Sequence, residues 1–175
     1  MLNDTAMQIV ANKVRKLVAL NVKEIFKMDL LAFGGACMHF AYHGAQALQE
    51  QLPGEPISLQ AGSVRWRIAN EDQNVENKWW GYEWNMQHGE PLEYHCWIAL
   101  TNRNMIVDFS TFMIKELMRN QGVTWYLPSQ PPPFIVTTEN NDMHEYIAVP
   151  AACLELRRRA TEYGHIVLVD ANDMN

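Results

Sequence analysis

The chain has 175 residues, 48% of them hydrophobic and 19% charged, enough apolar material for one core and too little length for two large ones. A net charge of −6 with no lysine–arginine stripe argues against nucleic acid as a main partner, and the absence of a long like-charged block argues against wholesale disorder. Three cysteines, Cys37, Cys96 and Cys153, are too few and too uneven for a disulfide framework and fit a reducing compartment.

No basic-then-apolar leader opens the chain, and no run approaches the roughly 18–20 apolar residues needed to cross a bilayer. The expectation is a soluble, cytoplasmic protein with no membrane contact, folded as one domain over residues 1–175.

Residues 4–28 predict a long amphipathic helix. Asp4 or Thr5 can cap it, and Ile9, Val10, Val14, Leu17, Val18, Leu20, Ile25 and Phe26 give it a broad apolar face. A turn at Gly34-Gly35 leads to a second helix over 36–51, which Pro53-Gly54 stops. From Ile57 the period changes to two, and "ISLQAGSVRWRIA" predicts a strand. The polar stretch 70–77 is a loop or hairpin tip. Residues 79–86 alternate again, with Trp80, Tyr82, Trp84 and Met86 on one face of a strand.

His88 to Pro91 spells a turn. Residues 93–101 predict a strand, Asn102-Arg103-Asn104 a tight turn, and 105–110 the partner strand. A helix is expected over 111–120 and extended chain in the proline-rich 127–134. "FIVTT" and "EYIAVP" are short strands, 151–163 is a last helix opened by Pro150, and "HIVLV" is a terminal strand. Helices first and mostly antiparallel strands after them define an α+β fold.

Three polar residues stand where a nucleophilic triad can form. Cys37 opens a helix, whose free N–H groups and positive dipole end favour a thiolate. His95 lies in a strand, and Asp108 lies in the strand paired with it by a short hairpin. A turn centred on Asn102-Arg103 sets Trp97 opposite Asp108, so His95 lies diagonal to Asp108 on the same face, within side-chain reach. Asp108 can then fix the imidazole tautomer, His95 can shuttle the proton, and the Cys37 N–H can face an oxyanion. Gly34 and Gly35 would let a substrate backbone approach closely.

The stretch "GGACMHFAYHGAQALQEQLPGEPISLQAGSVRW", followed by "HCWIAL" and "VDFST", resembles the transglutaminase-like core, within the broader papain-like superfamily. The resemblance covers residues 33–111. It implies a nucleophile helix packed on an antiparallel sheet, with Cys37 as nucleophile, His95 as base, Asp108 as orienting acid and Trp97 as the aromatic two residues after the histidine. Phe109 replaces the proline usual after the aspartate, and Leu31 stands where papain-type peptidases carry an oxyanion glutamine. The implied activity is acyl transfer from, or hydrolysis of, a peptide or small-molecule amide through an acyl-thioester, without metal or cofactor.

Plainer readings stand beside these. Cys37 also fits a buried helix position, His95 a satisfied sheet histidine, and Asp108 a strand-end turn former. Cys96, next to His95, points to the opposite sheet face and is expected in the core, as is Cys153. His39 and His43, spaced i, i+4, share a helix face in the manner of a metal pair, but the glutamate of an H-E-x-x-H motif is missing, since Phe40 follows His39. Arg157 to Arg159 sit in a helical stretch with acidic neighbours and form a solvated face. Trp79, Trp80, Tyr82 and Trp84 crowd before the His95 strand. They suit core packing, or with Gly35 and Trp97 the lining of a substrate cleft. A catalytically silent module that binds through that aromatic cleft is the alternative to an enzyme.

Overall fold

The computed structural model describes residues 4–28, 36–69, 78–82, 85–87, 90–113, 124–125, 135–137 and 144–173. The fold is α+β. Helix α1, Asp4–Phe26, buries one stripe at i, i+3/i+4 spacing: Met7, Val10, Ala11, Val14, Val18 and Val22. That stripe is narrower than the sequence implies. Ile9, Leu17 and Leu20 fall beside it and are exposed, because the face that meets the rest of the molecule follows the valine line.

Helix α2, Cys37–Gln51, packs between α1 and the sheet and buries Phe40, Ala41, Gly44, Ala47 and Leu48. Its closeness to the sheet depends on Gly44. A Cβ there would lie 2.6 Å from the Phe109 ring and 2.7 Å from Ile98 Cδ1, so only glycine fits without repacking. The Leu52 N–H bonds back to the Leu48 carbonyl and ends the helix just before Pro53.

Strand β1, Ile57–Ala69, is the long spine of a seven-stranded antiparallel sheet. Along its length it pairs with β2 (Lys78–Tyr82), β5 (His95–Leu100), β7 (Thr124–Trp125) and β9 (His144–Ala148). Beyond β5 come β6 (Met105–Asp108) and β8 (Ile135–Thr137). Gly62 lets β9 turn away closely over β1: a Cβ there would sit 2.1 Å from the Ile147 carbonyl oxygen.

Two strand expectations change. Residues 79–86 do not form one strand; β2 ends at Tyr82, and β3 (Asn85–Gln87) pairs with β4 (Glu90–Glu93) as a separate ribbon. Glu90 and Pro91, expected in a turn, therefore belong to a strand, and Pro91 is tolerated because the ribbon has only two strands.

The β5–β6 hairpin turns through a short 3-10 segment, Thr101–Arg103, with Asn104 left-handed at φ 48°. Its register pairs Ile98 with Val107 and Leu100 with Met105, which continues to Trp97 opposite Asp108. Strand β6 stops at Asp108, two residues short of expectation, and the chain takes a helical turn at 111–113. The rest of the helix expected over 111–120, the loop 70–77 and the proline-rich 127–134 lie outside the described residues.

Helix α3, Pro150–Asp173, runs ten residues past the end expected from the sequence. "HIVLV" continues the helix rather than forming a strand. A five-residue apolar run has no period that separates the two, and Gly164 before it is not a stop signal. That glycine makes room for Tyr42, whose Oη would lie 2.7 Å from an added Cβ.

The core lies between α1, α2, α3 and one sheet face. Leu48, Ile98, Leu100 and Leu156 are completely buried there, each contributing about 1.5–3 kcal/mol of hydrophobic stabilisation. The arginines of α3 stay at the surface, with Arg158 paired to Glu155 and Glu162. No helix among the described residues is long and apolar enough to cross a membrane.

Candidate active site

The start of α2, the start of β5 and the end of β6 converge. Cys37 is the first residue of α2 and is half-buried. The N-cap, Ala36, offers no side-chain acceptor, so the first N–H groups of the helix remain unsatisfied by a cap. His95 opens β5 at 2% exposure, and Asp108 closes β6 at 1%. The hairpin register makes these two diagonal neighbours, and His95 Nε2 lies 2.7 Å from Asp108 Oδ2. Cys37 lies close enough to His95 and Cys96 for both to bear on the ionisation of its thiol. With Nε2 on the carboxylate, Nδ1 is the ring nitrogen left for the thiol.

Asp108 is held by more than the histidine. Ser110 donates its N–H at 2.9 Å and its hydroxyl at 2.7 Å to Oδ1, and Tyr146 donates its hydroxyl at 2.9 Å to Oδ2. Four donors thus converge on one buried carboxylate and favour its charged form. Burial raises its pKa, but the charge and hydrogen bond of His95 and the two bonds from Ser110 prevail and lower it.

The same pairing governs the imidazole. Burial pulls His95 down, and the charge and hydrogen bond of Asp108, with the Cys37 contact, outweigh it and raise the ring to about 10. For Cys37, the hydrogen bond from Cys96 is the largest influence. With the contact and charge of His95 it overcomes desolvation and holds the thiol well below its ordinary value. Cys96 moves the other way, raised by burial and then by Cys37. These directions favour the charged forms of Cys37 and His95 and the neutral form of Cys96.

Aromatic rings enclose the imidazole. Trp66 meets it edge-on at 5.7 Å, Trp97 lies nearly parallel at 6.5 Å, and Tyr146 is tilted at 6.4 Å. Trp97 is itself 1% exposed and donates its indole N–H to Gln60 Oε1 at 3.0 Å. It walls the histidine and presents no open surface of its own. Trp79 and Trp80 are in β2, opposite Arg67 and Trp66 of β1, whereas Gly34, Gly35 and Trp84 lie outside the described residues.

Three participants escape the sequence reading. Ser110 had a usable signal, since a residue two after an aspartate commonly donates its N–H to that side chain. Tyr146 comes from β9 and had none. Cys96 does belong to the core cluster, as expected, but it also bears on the ionisation of the Cys37 thiol.

His39 and His43 share a buried face of α2 away from this site. His43 Nε2 lies 2.8 Å from Tyr163 Oη and 3.0 Å from Asn21 Nδ2, and Nδ1 lies 3.3 Å from Gln46 Oε1. His39 meets the rings of Tyr163 and Phe26 edge-on. Burial, then the charge of His43, lowers His39 to about 4. Among the described residues no group of three or more histidine, cysteine or acidic side chains is placed to hold a metal.

No protein-family model, curated protein or solved structure matches this chain.

Proposed function

We propose that the protein is a cysteine-dependent acyl-transfer enzyme acting on a peptide or small-molecule amide in a reducing, cytoplasmic compartment. The observation that carries this reading is the buried His95–Asp108 pair at 2.7 Å, with a helix-opening cysteine near enough for the histidine to bear on its ionisation. The resemblance of residues 33–111 to the transglutaminase-like and papain-like core supports it, because the three motifs follow one another in that order.

In this reading the Cys37 sulfur attacks the carbonyl carbon, and the backbone N–H groups opening α2 stabilise the oxyanion. The His95 imidazolium gives its proton to the departing amine and leaves an acyl-thioester on Cys37. The neutral ring then takes a proton from water or an amine as it attacks. Asp108 keeps the ring oriented and its charge balanced throughout.

Alkylation by iodoacetamide at pH 6 tests the central requirement. An ordinary thiol of pKa near 8.5 is about 0.3% ionised there. Cys37 should alkylate at least about tenfold faster than such a thiol, allowing for the lower intrinsic reactivity of an acidic thiolate. His95→Ala should remove most of that advantage. A silent binding module would instead show Cys37 reacting as an ordinary thiol, and equal labelling of His95→Ala would sink the triad.

A further inference from the structure

We propose that the outward face of α1 docks the protein on an anionic phospholipid surface. The inference is independent of the acyl-transfer reading, since it uses no residue of the candidate active site. It replaces the expectation of no membrane contact, which rested on the lack of a spanning run and not on surface charge.

The valine line of α1 turns Met7, Val10, Val14, Val18 and Val22 into the core. The opposite line reads Ile9, Lys13, Lys16, Leu20 and Lys23. Its steps of four and three keep to one helix face, and all five residues are exposed. Ile9 is 65% exposed and Leu20 55%. They stand about 16 Å apart at 1.5 Å per residue, with lysines between and beyond them. Lys27 adds a further exposed charge just past the last turn. Two acids temper the face: Glu50 of α2 meets Lys13 at 3.0 Å, and Glu24 meets Lys27 at 3.8 Å. Among the described residues, Lys16 and Lys23 have no carboxylate within ion-pair distance.

The positive charge is local. Residues 4–28 hold five of the fourteen lysines and arginines and two of the twenty acids, on a chain of net −6. An anionic surface therefore attracts this face and repels the rest, which selects one orientation. Apolar side chains set among lysines match acyl chains and anionic headgroups together. Ile9 and Leu20 enter the interface, while the lysine stems lie along it and carry their ammonium groups to the phosphates. The convex side of a helix suits a fluid surface that yields around its side chains better than the shaped socket of a protein. A second copy meeting this face with its own would set lysine against lysine. In the docked orientation α2 lies between the bilayer and the sheet, and the His95 side of the sheet turns away from the lipid.

Flotation of the full chain with phosphatidylcholine vesicles, with or without about one third phosphatidylserine, tests this. The protein should float with the phosphatidylserine vesicles in low salt, stay behind with phosphatidylcholine alone, and be released by about 0.5 M salt. Lys16→Gln/Lys23→Gln should weaken partitioning at least about tenfold, and Ile9→Gln/Leu20→Gln should weaken it at unchanged charge. Arg157→Gln, which removes an exposed cation of α3, should float as wild type. No flotation of the wild type in low salt overturns the proposal, as does equal flotation of the lysine variant or equal loss in Arg157→Gln. Binding of polyglutamate through Lys16 and Lys23 without flotation also overturns it and assigns the face to an acidic protein. The wild-type comparison of the two vesicles decides even where a variant folds poorly.

Discussion

Tyr146→Phe isolates one hydrogen bond of the candidate site. The ring stays and can keep its edge contacts with Trp66 and Trp97, at 6.2 and 5.2 Å, while the hydroxyl that donates to Asp108 Oδ2 is deleted. Asp108 is almost wholly buried, so bulk water does not simply replace the lost donor. A hydrogen bond to a charged group is worth about 1.5–3 kcal/mol, and the stability loss should fall in that range. At 1.36 kcal/mol per unit, the same loss should raise the pKa of the carboxylate itself by about 1–2 units. Urea unfolding at pH 7 and across the acid range reads the two effects. A stability loss under about 0.5 kcal/mol would refute the account of four donors sharing one charge.

Acid should weaken the protein through His39. Its folded value, about 4, lies below the unfolded 6.5, so the stabilisation is present above pH 6.5 and lost as pH falls toward 4. The loss should be about 3 kcal/mol, and His39→Phe should flatten it in urea titrations at pH 7 and 4. Gly62→Ala should cost about 3 kcal/mol or more in urea unfolding, because its Cβ would press on the backbone of Ile147 and Val149, which cannot rotate aside. Glu50→Ala, which removes the exposed Lys13–Glu50 pair, should change stability by under about 0.5 kcal/mol. A larger change would show that this pair is more than a screened surface contact.

Local order was legible wherever one period and one turn determined it. The residues of α2 and β1 announce themselves by spacing and by Pro53-Gly54 between them. The β5–β6 hairpin was equally accessible, since a tight turn fixes the register and the register fixes which side chains meet. The His95–Asp108 contact is therefore close to a sequence-level result. The exposed Ile9, Leu17 and Leu20 were not legible, because a helix with apolar residues on several lines does not say which line its neighbours cover. "HIVLV" failed for the related reason that five apolar residues suit either period.

The sequence by itself determined the α+β order, a thiol at a helix start, and a histidine and aspartate on one hairpin face. Tertiary structure alone decided that α2 brings Cys37 near that hairpin and that Tyr146 from β9 completes the shell of Asp108. Strand alternation describes which face a residue leaves, and a helix terminus arriving from a distant part of the chain obeys no such parity. Those contacts form only when long-range packing closes, and no short stretch of sequence encodes them.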